Sequence, residues 1–263
     1  MQPVLWAAAG TGFTCLMTVL GASMVFFFRK RVTEGAQRIF LGFAAGVMVA
    51  ASVWSLLIPA IEEAESQGVP GWLPAAGGFL LGVGFLMALD SVMPHLHLGA
   101  DQPEGHSSSW KRTTLLVLAV TLHNIPEGMA VGFSFALAAQ HGDDPALYTG
   151  ALALALGMGL QNFPGRRRHF PAPAAGGAAR LEELCLRGAF RHCRALFGIL
   201  AVLAAGSIQP LLPWLLAFAA GAMLYVVVEE LIPEAHLGEH SNIGTLGVMA
   251  GFLVMMVLDV ALG

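Results

Sequence analysis

The fold class this sequence predicts is an all-α integral membrane protein of eight transmembrane helices, on three observations. Of 263 residues, 56% are hydrophobic and only 11% charged, and mean hydropathy is +0.71, whereas a soluble domain carries roughly 25% charged residues. Apolar runs recur along the chain, most of them near the roughly 20 residues that a helix needs to cross the hydrocarbon. Finally, all 13 Lys and Arg residues sit in alternate loops between those runs.

The runs fall at 3–28, 39–61, 72–93, 113–139, 146–164, 195–209, 211–232 and 244–262, one transmembrane domain over 1–263. The first, "PVLWAAAGTGFTCLMTVLGASMVFFF", has neither the basic leader nor the short core of a cleaved signal, so it reads as a true span. The sixth, "ALFGILAVLAAGSIQ", is short for the hydrocarbon thickness. Arg29, Lys30, Arg31 and Arg38 mark the first loop, and Lys111 and Arg112 the third. Arg166, Arg167, Arg168, Arg180, Arg187, Arg191 and Arg194 fall in the fifth. Basic loops stay in the cytoplasm, so the odd loops face inward and both termini lie outside. Abundant Gly, Ala and Met suit close helix packing in lipid.

Composition also excludes. Cys15, Cys185 and Cys193 make neither a disulfide framework nor a Cys-x-x-Cys zinc site. No HExxH, GxSxG or Gly-rich phosphate loop is present, so the chain does not read as an enzyme. The net charge of −4 is not gathered on one surface, and nucleic acid is not an expected partner.

Polar groups inside the runs carry the chemistry. In run four, "LHNIPEGMAVG" puts His123 and Glu127 four apart, on one helical face, with Asn124 beside them. Pro126 cannot donate an amide hydrogen and is expected to open the preceding turn. An ionisable group at membrane depth costs at least ~2.5–3.5 kcal/mol, so it is kept where it is paired, hydrated or functional. Imidazole, amide and carboxylate together suit Zn²⁺, Fe²⁺, Mn²⁺ or Co²⁺; a structural His–Glu pair joining two helices is the other reading. Run five repeats the device in "LQNFP", where Gln161 and Asn162 precede Pro164 as His123 and Asn124 precede Pro126. Paired broken spans whose polar turns meet near the midplane are a transporter device.

Further acidic and imidazole groups lie nearer the helix ends. Run seven closes in "VVVEELIPEAHLGEH", with Glu229, Glu230, Glu234 and His236 at the cytoplasmic end, either ligands or an interfacial acidic cap. Glu62, Asp90 and Asp259 are waystations for a cation or ordinary end-of-helix carboxylates. The third loop, "PHLHLGADQPEGHSSSWKR", holds His95, His97 and His106, as a solvated loop or a metal-collecting tract.

On these residues the chain resembles the ZIP (Zrt/Irt-like) family of divalent metal transporters, most of all its prokaryotic GufA-like branch. The matching pieces are "LHNIPEGMAVGFSFA", "LQNFP", "EELIPEAH", "SNIGTLGVMAGFLVMMVLDVALG", "LGFAAGVMVAASVWSLLIPAIEEA" and "LDSVMPHLH". The likeness spans nearly the whole chain except about 165–195. It implies eight helices in a 3+2+3 inverted repeat, a two-metal centre on helices four and five, homodimers, and alternating access. Its metal-binding positions correspond here to His123, Asn124, Glu127, Gln161, Asn162 and Glu230. The implied cargo is Zn²⁺, with Fe²⁺, Mn²⁺ or Cd²⁺ beside it, carried as substrate rather than held as cofactor. Metal would enter from outside, pass helices four and five, and leave toward His95, His97 and His236. The expected address is a bacterial inner membrane. Carboxylates must be deprotonated to ligate, so acid weakens binding.

One position departs from the pattern. The family's glutamate after the helix-five proline is Gly165 here, followed by Arg166, Arg167 and Arg168. Either the arginines form a true cytoplasmic loop, or 165–195 is a frameshifted segment between two compensating shifts. The genetic code permits "PGRRRHFPAPAAGG" to become "PEGAAISLPLRREG" when read one base later after the proline, which restores the glutamate. Three functions therefore stand: a divalent-metal importer, a transport-impaired homologue or pseudogene product, and an intramembrane metalloenzyme using the same His/Glu centre.

Overall fold

A computed structural model describes residues 2–27, 33–92, 112–142, 144–162, 193–205, 209–236 and 242–262, and among them there are helices and turns but no strand. Helix α1 spans Gln2–Phe27. Helix α2 (Glu34–Ala51) continues through a π-helical stretch, Ser52–Leu57, into α3 (Ile58–Ser66). Then come α4 (Trp72–Val92), α5 (Arg112–Gln140), α6 (Pro145–Asn162) and α7 (Cys193–Ala205). A 3₁₀ turn at Gln209–Leu211 opens α8 (Leu212–Val226). A second π stretch, Val227–Leu231, leads to α9 (Ile232–His236), and α10 is Ile243–Leu262. These helices fall on the apolar runs read from the sequence.

Four helical stretches among the described residues are long and apolar enough to cross a membrane: Gly35–Ser66, Trp72–Val92, Gln209–Ala235 and Ile243–Leu262. Val4–Leu20 and Cys193–Ala205 are shorter apolar helices. The chain is an all-α membrane protein. On α10 the exposed Leu246, Met249, Leu253, Val257 and Val260 form a stripe at helical spacing, and Gly247, Gly251, Met255 and Asp259 are buried on the opposite face. An apolar stripe left uncovered on that scale suits hydrocarbon rather than water.

Glycine sets the closest seams. A Cβ at Gly42 would strike the Gly244 carbonyl, one at Gly46 the Val248 carbonyl, and one at Gly251 the Phe43 carbonyl, so α2 and α10 touch backbone to backbone. The same arrangement joins α4 to α8, where Gly78 faces Trp214, Gly82 faces Phe218 and Gly221 faces Phe79. The buried hydroxyls of Thr11, Thr14 and Thr18 on α1 bond back to Ala7, Thr11 and Thr14 carbonyls at 2.6, 2.8 and 2.9 Å, so that polar stripe is self-satisfied.

Prolines act where the sequence did not single them out. Both π stretches end just before an Ile-Pro pair, Ile58-Pro59 and Ile232-Pro233. A proline gives no N–H to the carbonyl four residues back, and a wider turn absorbs that loss. Pro126, expected to open the preceding turn, lies within the α-helical span of α5, without a π stretch. There α7 lies close along the next turn: a Cβ on Gly128 or Gly132 would strike the main chain of Arg194 or Gly198.

Candidate metal centre

Three side-chain oxygens from two helices converge on one nitrogen. Asn124 and Glu127 are three apart on α5 and so share a face; Asn162 ends α6, and all three are buried. Arg194, in the first turn of α7, donates from Nη2 to Asn124 Oδ1 at 2.5 Å and to Asn162 Oδ1 at 3.2 Å. The same nitrogen pairs with Glu127 Oε2. Asn162 Nδ2 donates to Glu127 Oε2 at 3.2 Å and to the Met158 carbonyl at 2.5 Å, which turns the amide oxygen toward the centre.

Counting Arg194 among the charges of the fifth loop is corrected here. The glycine seam with α5 brings the first turn of α7 inside, and the Arg194 side chain is 2% exposed. Its Nε and Nη1 are buried with no hydrogen-bond partner among the described residues. No spacing rule in the sequence points to this residue, because an arginine just before an apolar run ordinarily snorkels to the interface.

The other candidates are spread out. Gln161 is buried but donates to Met158 Sδ at 3.5 Å. Glu229 is exposed and Glu230 half-buried, both in the second π stretch. The side chains of His123 and His236 lie outside what is described, and so do His95, His97, His106, Gly165 and Arg166 to Arg168. Glu62 is exposed, midway along α3. Its neighbour Glu63 is the buried one: Oε2 pairs with His141 Nε2 at 3.1 Å, and Oε1 accepts from Gln67 Nε2 at 2.8 Å. Glu63 was not a sequence candidate, yet it shares a face with the buried Ala60 and Ala64. Asp259 is buried and accepts from Ser55 Oγ at 2.7 Å. Asp90 is half-buried and accepts from Tyr225 at 3.4 Å.

Chemically, the centre offers one carboxylate and two amide oxygens aimed at a single positive group. Oxygen donors of this kind hold cations. Among the described residues no group of three or more His, Cys, Asp and Glu side chains comes together. The centre is thus richer in amides than in charges.

No protein-family model matches the chain. It is 41% identical over 253 residues to the zinc transporter GufA of Myxococcus xanthus, covering 94% of each chain. It is 35% identical to the human zinc transporter ZIP11, over 99% of this chain and 98% of that one. With the zinc transporter ZIPB of Bordetella bronchiseptica it shares 36% identity, over 99% of this chain and 81% of the relative.

Proposed function

The chain belongs to the ZIP (Zrt/Irt-like) family of metal transporters, in its GufA-like branch, and from that premise we propose that it moves divalent cations, zinc foremost, into the cytoplasm. The observation that carries the reading is the convergence of Asn124, Glu127 and Asn162 oxygens on one cation between α5 and α6. In this reading His123, Gln161 and Glu230 complete the ligand set when the helices move. Glu62, Glu229, His95, His97 and His236 serve the approach and exit, and Fe²⁺, Mn²⁺ and Cd²⁺ are secondary cargo. The chain is a transporter, not an enzyme.

Eight spans in a 3+2+3 inverted repeat, both termini outside an inner membrane, and a homodimer complete the proposal. The crosswise seams support the repeat: exchanging the first three spans with the last three turns the α2–α10 pair into the α8–α4 pair. The two π stretches, each before Ile-Pro, fall on spans two and seven, which that exchange also interconverts. Alternating access would then rock one bundle against the other about the polar centre.

A transport-impaired form is the second reading, favoured by Gly165 after Pro164, where the family resemblance implies a glutamate. Zinc uptake into vesicles carrying the chain as written, and the chain with 165–195 returned to the other frame, tests both. The corrected chain should transport and the written one should transport little. Equal uptake removes the frameshift. In the corrected chain Glu127→Gln should lower uptake by at least the roughly tenfold that disturbing a metal ligand's surroundings costs, and unaltered uptake removes the centre.

A further inference from the structure

We infer that Arg194 is the resident cation of this centre, a tethered competitor that excludes a divalent ion from the point where Asn124, Glu127 and Asn162 meet. This rests on reading that point as a cation site, and it concerns the chain as written, since Arg194 falls within 165–195.

Nη2 does what a bound metal would do there. It is the one described group that contacts all three oxygens, and it neutralises the one carboxylate among them. The guanidinium satisfies the site better than the site satisfies the guanidinium, since Nε and Nη1 are buried without partners among the described residues. An arginine chosen for its own stability would use more of its five donors. An ion and Nη2 cannot share the position, because both are positive and in contact with the same oxygens. Release therefore requires withdrawal of the first turn of α7, which the contact between Gly128 and the Arg194 main chain opposes.

The test is equilibrium binding of radioactive Zn²⁺ to the full chain in detergent. If the arginine holds the centre in nine molecules of ten or more, freeing it tightens binding by about tenfold or more. Arg194→Gln and Arg194→Ala should show that gain and Arg194→Lys should not, while Glu127→Gln added to Arg194→Gln should abolish it. Gel filtration checks folding, and Gln keeps most of the side-chain length if Ala does not fold. Glu127-dependent binding by the unaltered chain, as tight as in Arg194→Gln, overturns the inference while leaving the cation centre intact. Binding by none of the chains overturns both the inference and the centre.

Discussion

Asp259 is a buried carboxylate with one oxygen held by Ser55 Oγ and the other without a partner among the described residues. Taking away the single donor should therefore cost more than an average hydrogen bond. We expect Ser55→Ala to destabilise the protein by about 1–3 kcal/mol, the range for orphaning a buried polar group, read as a fall in thermal midpoint in detergent. Ser55→Thr, which keeps the hydroxyl, should recover most of it; an unchanged midpoint in Ser55→Ala would remove the bond from the stability account. The sequence marks Asp259 as unusual by its surroundings alone, but not Ser55, because the two are 204 residues apart and no periodicity relates them. Asn124, Glu127 and Asn162 were legible for the opposite reason: each lies within a short polar motif inside an apolar run. Arg194 was not, since its role depends on how closely one helix lies on another.

Pairs of helices meeting at glycine have no side chain to rearrange when volume is added. A Cβ at Gly46 would meet the Val248 carbonyl and the Phe252 amide. Gly46→Val should then force α2 and α10 apart and destabilise by about 1–3 kcal/mol or more, as overpacking does. Gly12→Ala, with nothing within 4 Å of the new carbon, is the control and should be neutral or slightly stabilising. Equal melting of the two variants would show that the seam is softer than its geometry. The abundance of glycine was visible in the sequence, and so was the reason for it, but the pairings were not. Helix bounds were legible because hydropathy and turn residues mark them locally: Gly68 and Gly142, at φ +76° and +68°, end α3 and α5 in the left-handed conformation that glycine takes readily. The π stretches escaped because a proline does not by itself announce one: at Pro126 the chain stays α-helical, and before Pro59 and Pro233 the backbone widens.

For the molecule as a whole, orientation is the property that charge alone predicts. With Cys15, Cys185 and Cys193 replaced by Ser, a membrane-impermeant maleimide should label Ser66→Cys in intact cells and Ser91→Cys only after permeabilisation. Both positions are exposed at helix ends, one after span two and one after span three. The reverse pattern would invert the topology and make the proposed importer an exporter. The number of apolar runs and their loop charges carry this much without coordinates, whereas the order in which spans touch does not follow from hydropathy. That order has a consequence for biosynthesis. Because α2 lies against α10, the glycine face of the earlier helix has no partner until α10 has been synthesised and inserted. A chain stalled before α10 leaves that groove bare.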